Sequence, residues 1–152
     1  MSEEEKIKDE LIKKFNFLEK DITIPRVRRI FLNVELANFE EIFLFAWKEL
    51  KFSHLISITG FDEQDRLGFM YHLSRDNGIV LNIKTSVNKD GPALKTVTKY
   101  FPGAEIYERE LIDLFGAKIE GLPAGNRYPL TDDWPAGQFP LRKDWNLKNL
   151  KG

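Results

Sequence analysis

The sequence contains no cysteine, which removes disulfides, thiolate zinc sites, cysteine nucleophiles and ordinary iron–sulfur ligation from this chain's chemistry. Histidine is nearly as scarce. His54 and His72 are the only two, and neither has a second His at the helical spacing of an HExxH-type site, so both read as sheet or surface residues. No apolar run reaches the roughly 18 to 20 residues that span a bilayer. The acidic, polar Met1–Asp9 segment lacks the apolar core of a signal peptide, so the chain is expected to stay in the cytoplasm. An excess of charge of one sign is missing too. Lys plus Arg number 23 against 24 for Asp plus Glu, a formal charge of -1, and such a balance gives no field for nucleic acid or anionic lipid.

What is present is the material of one α+β domain. Over 152 residues, 42% are hydrophobic and 31% charged, and a chain of this length buries roughly two-thirds of its unfolded surface. Ile7, Leu11, Phe15 and Leu18 form one stripe of an amphipathic helix over Glu5–Leu18. Alternation of Ile30, Leu32 and Val34 predicts a strand from Arg28 to Glu35. Asn38 followed by Glu41 resembles a capping box opening a helix that runs to about Leu50. That helix has Phe39, Ile42, Phe43, Ala46 and Leu50 on its core face and Leu44, Phe45 and Trp47 outside it. Three strands follow, His54–Thr59, Leu67–Ser74 and Ile79–Ser86, and the Asn77-Gly78 pair between the last two marks a hairpin.

After Asp90-Gly91-Pro92 a short helix is expected from Ala93 to Tyr100, then a second beginning after Pro102 and capped by Gly116. Tyr107, Leu111, Leu114 and Phe115 make the apolar stripe of this second helix. On its polar side Arg109 lies four residues from both Glu105 and Asp113, so one guanidinium can bridge two carboxylates. The expected fold is therefore α+β, a mostly antiparallel sheet covered by helices over residues 1–120, followed by a long irregular C-terminal arm over 121–152.

That arm is compositionally unusual. It holds four of the seven prolines and two of the three tryptophans, Trp134 and Trp145, together with Tyr128 and Phe139. Disordered segments are poor in aromatics, and long structureless loops are uncommon inside a compact domain. Prolines restrict the free ensemble and aromatics supply contact area, which suits an arm laid over a neighbouring protein or folded back over its own sheet. Arg127, Asp132, Asp133, Arg142, Lys143 and Asp144 add charges that can pair with a partner. Exposed pairs are worth under about 1 kcal/mol each, so the aromatics should dominate such binding.

An enzymatic reading would make Glu108 and Glu110 an acid–base pair. Residues two apart on a helix diverge by about 200°, so the two carboxylates cannot converge on one substrate. On opposite flanks they are better suited to holding loops or a partner's basic residues. No nucleophile–base pair or phosphate loop is present either, and no catalytic residue is expected. An independent binding module remains a third reading, since a fold alone does not fix function.

The run Glu108-Arg109-Glu110-Leu111-Ile112-Asp113-Leu114-Phe115-Gly116 resembles the ERE-xx-D-x-FG signature of the hydrophilic C-type (thirty-kilodalton) subunit of respiratory complex I. Asp132-Asp133-Trp134-Pro135 and Pro140-Leu141-Arg142-Lys143-Asp144, followed by Trp145, look like that family's closing segment. The resemblance extends over nearly the whole chain. Where many complex I members carry Gly-His-Pro, this sequence has Gly121-Leu122-Pro123. Together with Asn126-Arg127-Tyr128-Pro129-Leu130 and Gln138-Phe139-Pro140-Leu141-Arg142-Lys143-Asp144, that departure is more similar to the counterpart in energy-converting nickel–iron hydrogenases.

The resemblance implies a non-catalytic peripheral-arm subunit at the cytoplasmic face of the membrane. It would belong to a hetero-oligomer, docked on the large subunit of a hydrogenase, or of complex I as the alternative, beside adjacent iron–sulfur subunits. A nickel–iron site and iron–sulfur clusters would lie in those neighbours, and this chain would bind no cofactor or metal. The expected signature and partner-contact residues are Glu108, Arg109, Glu110, Asp113, Phe115, Gly116, Arg127, Trp134, Leu141, Arg142, Lys143, Asp144 and Trp145.

Overall fold

The computed structural model describes residues 1–150; Lys151 and Gly152, the end of the expected arm, lie outside the described residues. The order of elements is α1 (Glu3–Lys14), β1 (Ile22–Arg26), β2 (Arg29–Asn33), α2 (Leu36–Lys48), β3 (His54–Asp62), β4 (Arg66–Ser74), β5 (Val80–Asn88), β6 (Leu94–Lys95), α3 (Ala104–Phe115) and β7 (Ile119–Glu120). Turns of 3-10 helix cover Asn16–Lys20 and Leu147–Leu150. The mixed α+β class holds. The main sheet has the order β1-β2-β5-β4-β3, antiparallel at β1–β2 and parallel at β2–β5. A separate pair, β6 and β7, is parallel.

Two compact units emerge, one made of Met1–Ile58 with Phe69–Ser86, the other of Thr59–Gly68 with the chain from Val87 onward. In the first unit α1 starts on a full capping box. Ser2 Oγ accepts the Glu5 N–H and the Glu5 carboxylate accepts the Ser2 N–H, which satisfies two of the amides a helix start leaves without partners. The expected stripe is buried at Ile7, Leu11, Phe15 and Leu18. Its helix stops earlier than expected, because the chain tightens into 3-10 geometry after Phe15. Four predicted core residues of α2, Phe39, Ile42, Phe43 and Ala46, are buried, as is Leu50 just beyond its end, and Phe39 and Phe43 pack on Tyr71 at ring separations of 4.8 and 5.7 Å.

Asn82 stitches the parallel junction of that unit. Its side-chain amide donates to the Ile30 carbonyl at 3.1 Å while its oxygen meets His72 Nδ1, so His72 is a sheet residue with a polar partner. At the β4–β5 hairpin, Gly78 has φ +78° and donates to the Arg75 carbonyl. That geometry is what the Asn77-Gly78 pair predicted.

In the second unit the expected Ala93–Tyr100 helix is absent. Leu94 and Lys95 pair instead with Ile119 and Glu120, and the Leu94 and Thr96 amides bond to the carbonyls of Lys118 and Glu120. α3 runs over its predicted range and ends at Gly116 in the left-handed conformation, φ 72° and ψ 29°. Gly60 of β3 lets this helix approach closely, since a Cβ there would lie 2.6 Å from the Phe115 ring.

Candidate partner-docking site

The conspicuous residues of the sequence converge on α3 and the chain that follows β7. The buried residues of α3 are Ala104, Glu108, Leu111, Asp113 and Phe115, so the Glu108 carboxylate lies in line with the apolar Ala104, Leu111 and Phe115. Glu108 is fully buried. Its Oε2 accepts the Thr96 hydroxyl at 2.6 Å and its Oε1 accepts the Val97 N–H at 2.8 Å. Thr98 completes the cluster through contacts from its amide and hydroxyl to Thr96 Oγ1. Burial pushes the Glu108 carboxyl above its ordinary value of 4.5, against the opposing pull of the Thr96 and Val97 hydrogen bonds. Glu108 thus holds a loop, one of the two roles expected for it, while Glu110 is half-buried on the same helix.

Arg109 does not bridge two carboxylates. Its Nε and Nη2 donate to Glu105 at 3.1 and 2.8 Å, and Nη2 also reaches the carbonyl of Pro123. Gly125 comes so near that a Cβ would lie 2.5 Å from the guanidinium. Asp113 turns to the tail instead. It accepts the Leu130 N–H at 3.1 Å and faces Arg127 at 3.8 Å. Arg109, while paired with Glu105, and Asp113 therefore both hold the chain after β7, which an i,i+4 argument has no means to see.

Further on, consecutive residues tie the Pro140–Asp144 motif to the end of α3. The Leu141 amide bonds to the Leu114 carbonyl and Arg142 Nε to the Phe115 carbonyl at 2.7 Å. Those carbonyls belong to the last helical turn, where the backbone lacks intrahelical donors and a cation is favoured. Arg142 also lies over the Phe139 ring, 4.8 Å from its centroid. Gly116 makes room for both, since a Cβ there would approach Phe139 and Arg142 to 2.6 and 2.7 Å. The Phe115-Gly116 and Pro140–Asp144 motifs, apart in sequence, are two halves of one contact.

The tryptophans form a knot around Gln138. Trp134 Nε1 donates to its backbone carbonyl at 2.7 Å and Trp145 Nε1 to its side-chain oxygen at 3.0 Å, with the two rings 5.9 Å apart. Arg127 Nη1 fixes the Trp134 carbonyl. In the sequence Gln138 stands only as the first residue of a motif, and its position between two tryptophans was the available signal for this role. After these contacts are made, Leu141 remains 51% exposed, Tyr128 44% and Leu147 67%, and Lys143 and Asp144 are exposed beside them.

A hollow of about 160 Å³ opens beside Gln138, Phe139, Asp144 and Trp145, smaller than the roughly 300 Å³ at which small-molecule pockets begin. Among the described residues no cluster of three or more His, Cys, Asp or Glu is placed to hold a metal ion. No helix among them is long and apolar enough to cross a membrane. The surface built by α3 and the tail exposes aliphatic and aromatic groups on a hydrogen-bonded support.

The chain is similar to subunits of several respiratory and hydrogenase complexes. The C-type subunit of the F(420)H(2) dehydrogenase of Methanosarcina mazei is 33% identical over 120 residues, 77% of this chain and 75% of that protein. The beta subunit of the membrane-bound hydrogenase of Pyrococcus furiosus is 30% identical over 120 residues, 76% of this chain and 69% of its own length. A chain in the solved structure of the membrane-bound sulfane sulfur reductase, an archaeal respiratory membrane complex, superimposes with a TM-score of 0.84 at 29% identity. That match covers 99% of this chain and 90% of the other. Residues 32–151 match the family model of the respiratory-chain NADH dehydrogenase 30 Kd subunit, and the chain belongs to that family.

Proposed function

We propose that this protein is a non-catalytic peripheral-arm subunit that docks on and stabilises the catalytic large subunit of a membrane-bound energy-converting nickel–iron hydrogenase. The observation that carries the reading is the division of labour in the tail. Its Leu130 amide and Arg142 are engaged with α3 and its tryptophans with Gln138, while Tyr128, Leu141 and Leu147 stay exposed. Burying a leucine side chain is worth about 1.5 to 3 kcal/mol, so a few such exposed groups on a preformed support can anchor a subunit. The absence of cysteine fits a subunit that leaves electron transfer to neighbours with iron–sulfur clusters and the nickel–iron site. Attachment at the cytoplasmic face of the membrane would run through the complex.

The Pyrococcus furiosus hydrogenase subunit is a relative that supports this branch. The F(420)H(2) dehydrogenase and NADH-quinone oxidoreductase relatives support a second reading, the same docking role in a complex of the respiratory complex I kind. Purification of the native complex through a tag on this chain, followed by metal analysis, separates the two. Nickel stoichiometric with the large subunit is expected. Iron without nickel would assign the chain to the second branch, and recovery of the chain alone would contradict both.

A further inference from the structure

Asp62, the last residue of β3, belongs to none of the motifs above, yet its side chain is only 1% exposed. Three segments are directed at its carboxylate. Oδ1 accepts the Gln64 N–H at 2.8 Å, Oδ2 accepts the Lys143 N–H at 2.7 Å, and the Lys89 ammonium lies 3.0 and 3.1 Å from the two oxygens. A carboxylate that served only the β3–β4 turn would need the Gln64 amide alone. The other two donors come from just after β5 and from the Pro140–Asp144 motif, so this group ties the turn, the end of a strand and the tail together. Burial opposes ionisation of Asp62, but the Lys143, Lys89 and Gln64 hydrogen bonds outweigh it and hold the carboxyl below its ordinary 3.8.

We propose that Asp62 is the positioning residue of the tail, fixing the segment around Leu141 so that the docking surface is already formed in the free subunit. Three successive residues are anchored there: Leu141 through its amide to Leu114, Arg142 through its guanidinium to Phe115, and Lys143 through its amide to Asp62. Two of the acceptors are backbone carbonyls of α3. Only Asp62 supplies a side-chain acceptor, and an ionised one, which makes its hydrogen bonds the stronger kind. A segment ordered beforehand does not lose conformational entropy at the moment of association, so its affinity rises without any new contact. The inference about docking rests on the function proposed above; the inference about order in the tail does not.

The test measures amide hydrogen exchange in the full-length wild-type, Asp62→Asn and Lys89→Ala proteins, together with the affinity of each for the purified large subunit. Asparagine keeps an acceptor for Gln64 but presents N–H groups where Lys143 and Lys89 donate. Exchange of residues 141–145 should accelerate about tenfold or more in Asp62→Asn, as expected on losing a hydrogen bond to a charged group. Exchange in Arg29–Asn33 should stay close to wild type. Lys89→Ala, which keeps both amide contacts, should fall between. Affinity for the large subunit should decline in the same order. Unchanged exchange at 141–145, or equal acceleration throughout the chain, would overturn the positioning role. Released tail amides with undiminished affinity would overturn the claim that this order preforms the docking surface. If the wild-type chain itself fails to bind while Asp62→Asn still releases the tail, the docking reading fails and the positioning of the tail by Asp62 stands.

Discussion

Gly116→Ala is expected to destabilise the protein by about 2 to 4 kcal/mol, because it adds left-handed backbone strain of about 1 to 2 kcal/mol to overpacking of about 1 to 3 kcal/mol. The backbone there has φ 72°. The new methyl would lie 2.6 Å from the Phe139 ring and 2.7 Å from Arg142 Nη2, so the tail must move or the helix end must unwind. For a chain of this length the melting temperature should fall by roughly 5 to 15 °C. Gly137 provides the control. It has φ +77° but nothing within 4 Å of its position for a Cβ, so Gly137→Ala should cost only the strain, about 1 to 2 kcal/mol. Tryptophan fluorescence should change in the first variant, since the segment carrying Phe139 and Arg142 also carries the Gln138–Trp145 contact. Equal melting of the two variants would show that the Phe139–Arg142 contact contributes little.

Removal of the buried carboxylate gives the other large effect. Glu108→Ala would leave the Val97 N–H and the Thr96 hydroxyl without their acceptor and open a hollow in the apolar face of α3. The expected cost is about 2 to 5 kcal/mol. Glu108→Gln should be far milder, because its oxygen can still accept the Val97 N–H and its amide can donate to a reoriented Thr96. The two forms also differ in their response to pH. Burial raises the Glu108 carboxyl above its ordinary 4.5, so the native state binds this proton more tightly than the unfolded state. Stability supplied by the protonated group is complete below 4.5 and is lost as pH climbs through the higher native value. The glutamine variant lacks that loss. Its melting temperature relative to wild type should therefore rise from about pH 4 to about pH 7, and a flat difference would contradict a raised Glu108.

Elements specified by their own residues were legible in the sequence. The α1 stripe, the Asn77-Gly78 turn and the Gly116 cap each depend on side chains or backbone freedom within a few positions. Elements that depend on distant partners were not. β1 contains Pro25 and carries little alternation, and it forms because Ile22 and Thr23 find Leu32 and Phe31 across the sheet. The chain at Leu94 has no local bias strong enough to resist pairing with Ile119. α2 starts at Leu36, earlier than Asn38 suggested, because Glu35 in extended conformation already accepts the Asn38 amide through its carbonyl.

The same division runs through the candidate site. Arg109 and Asp113 were recognisable as interacting residues, but their partners Pro123 and Leu130 come from a segment without periodicity. Glu108 left a trace, since Ala104, Glu108, Leu111 and Phe115 repeat at core spacing. Reading the apolar stripe from Tyr107 and Leu114 hid it. Asp62 left none, because a turn aspartate looks the same whether or not a distant amide reaches it.

If the outer face of the tail meets the large subunit, a photo-crosslinking residue placed at Leu141 in the native membranes reports that contact directly. Leu141 contributes a backbone amide to α3 and leaves its side chain half exposed, so the replacement should leave the fold intact. Irradiation is expected to link the chain to the large subunit. As a control, the same probe at Leu44, exposed on α2, reports any contact made elsewhere. A large-subunit adduct from Leu141 supports the docking surface; adducts from Leu44 with none from Leu141 would contradict it.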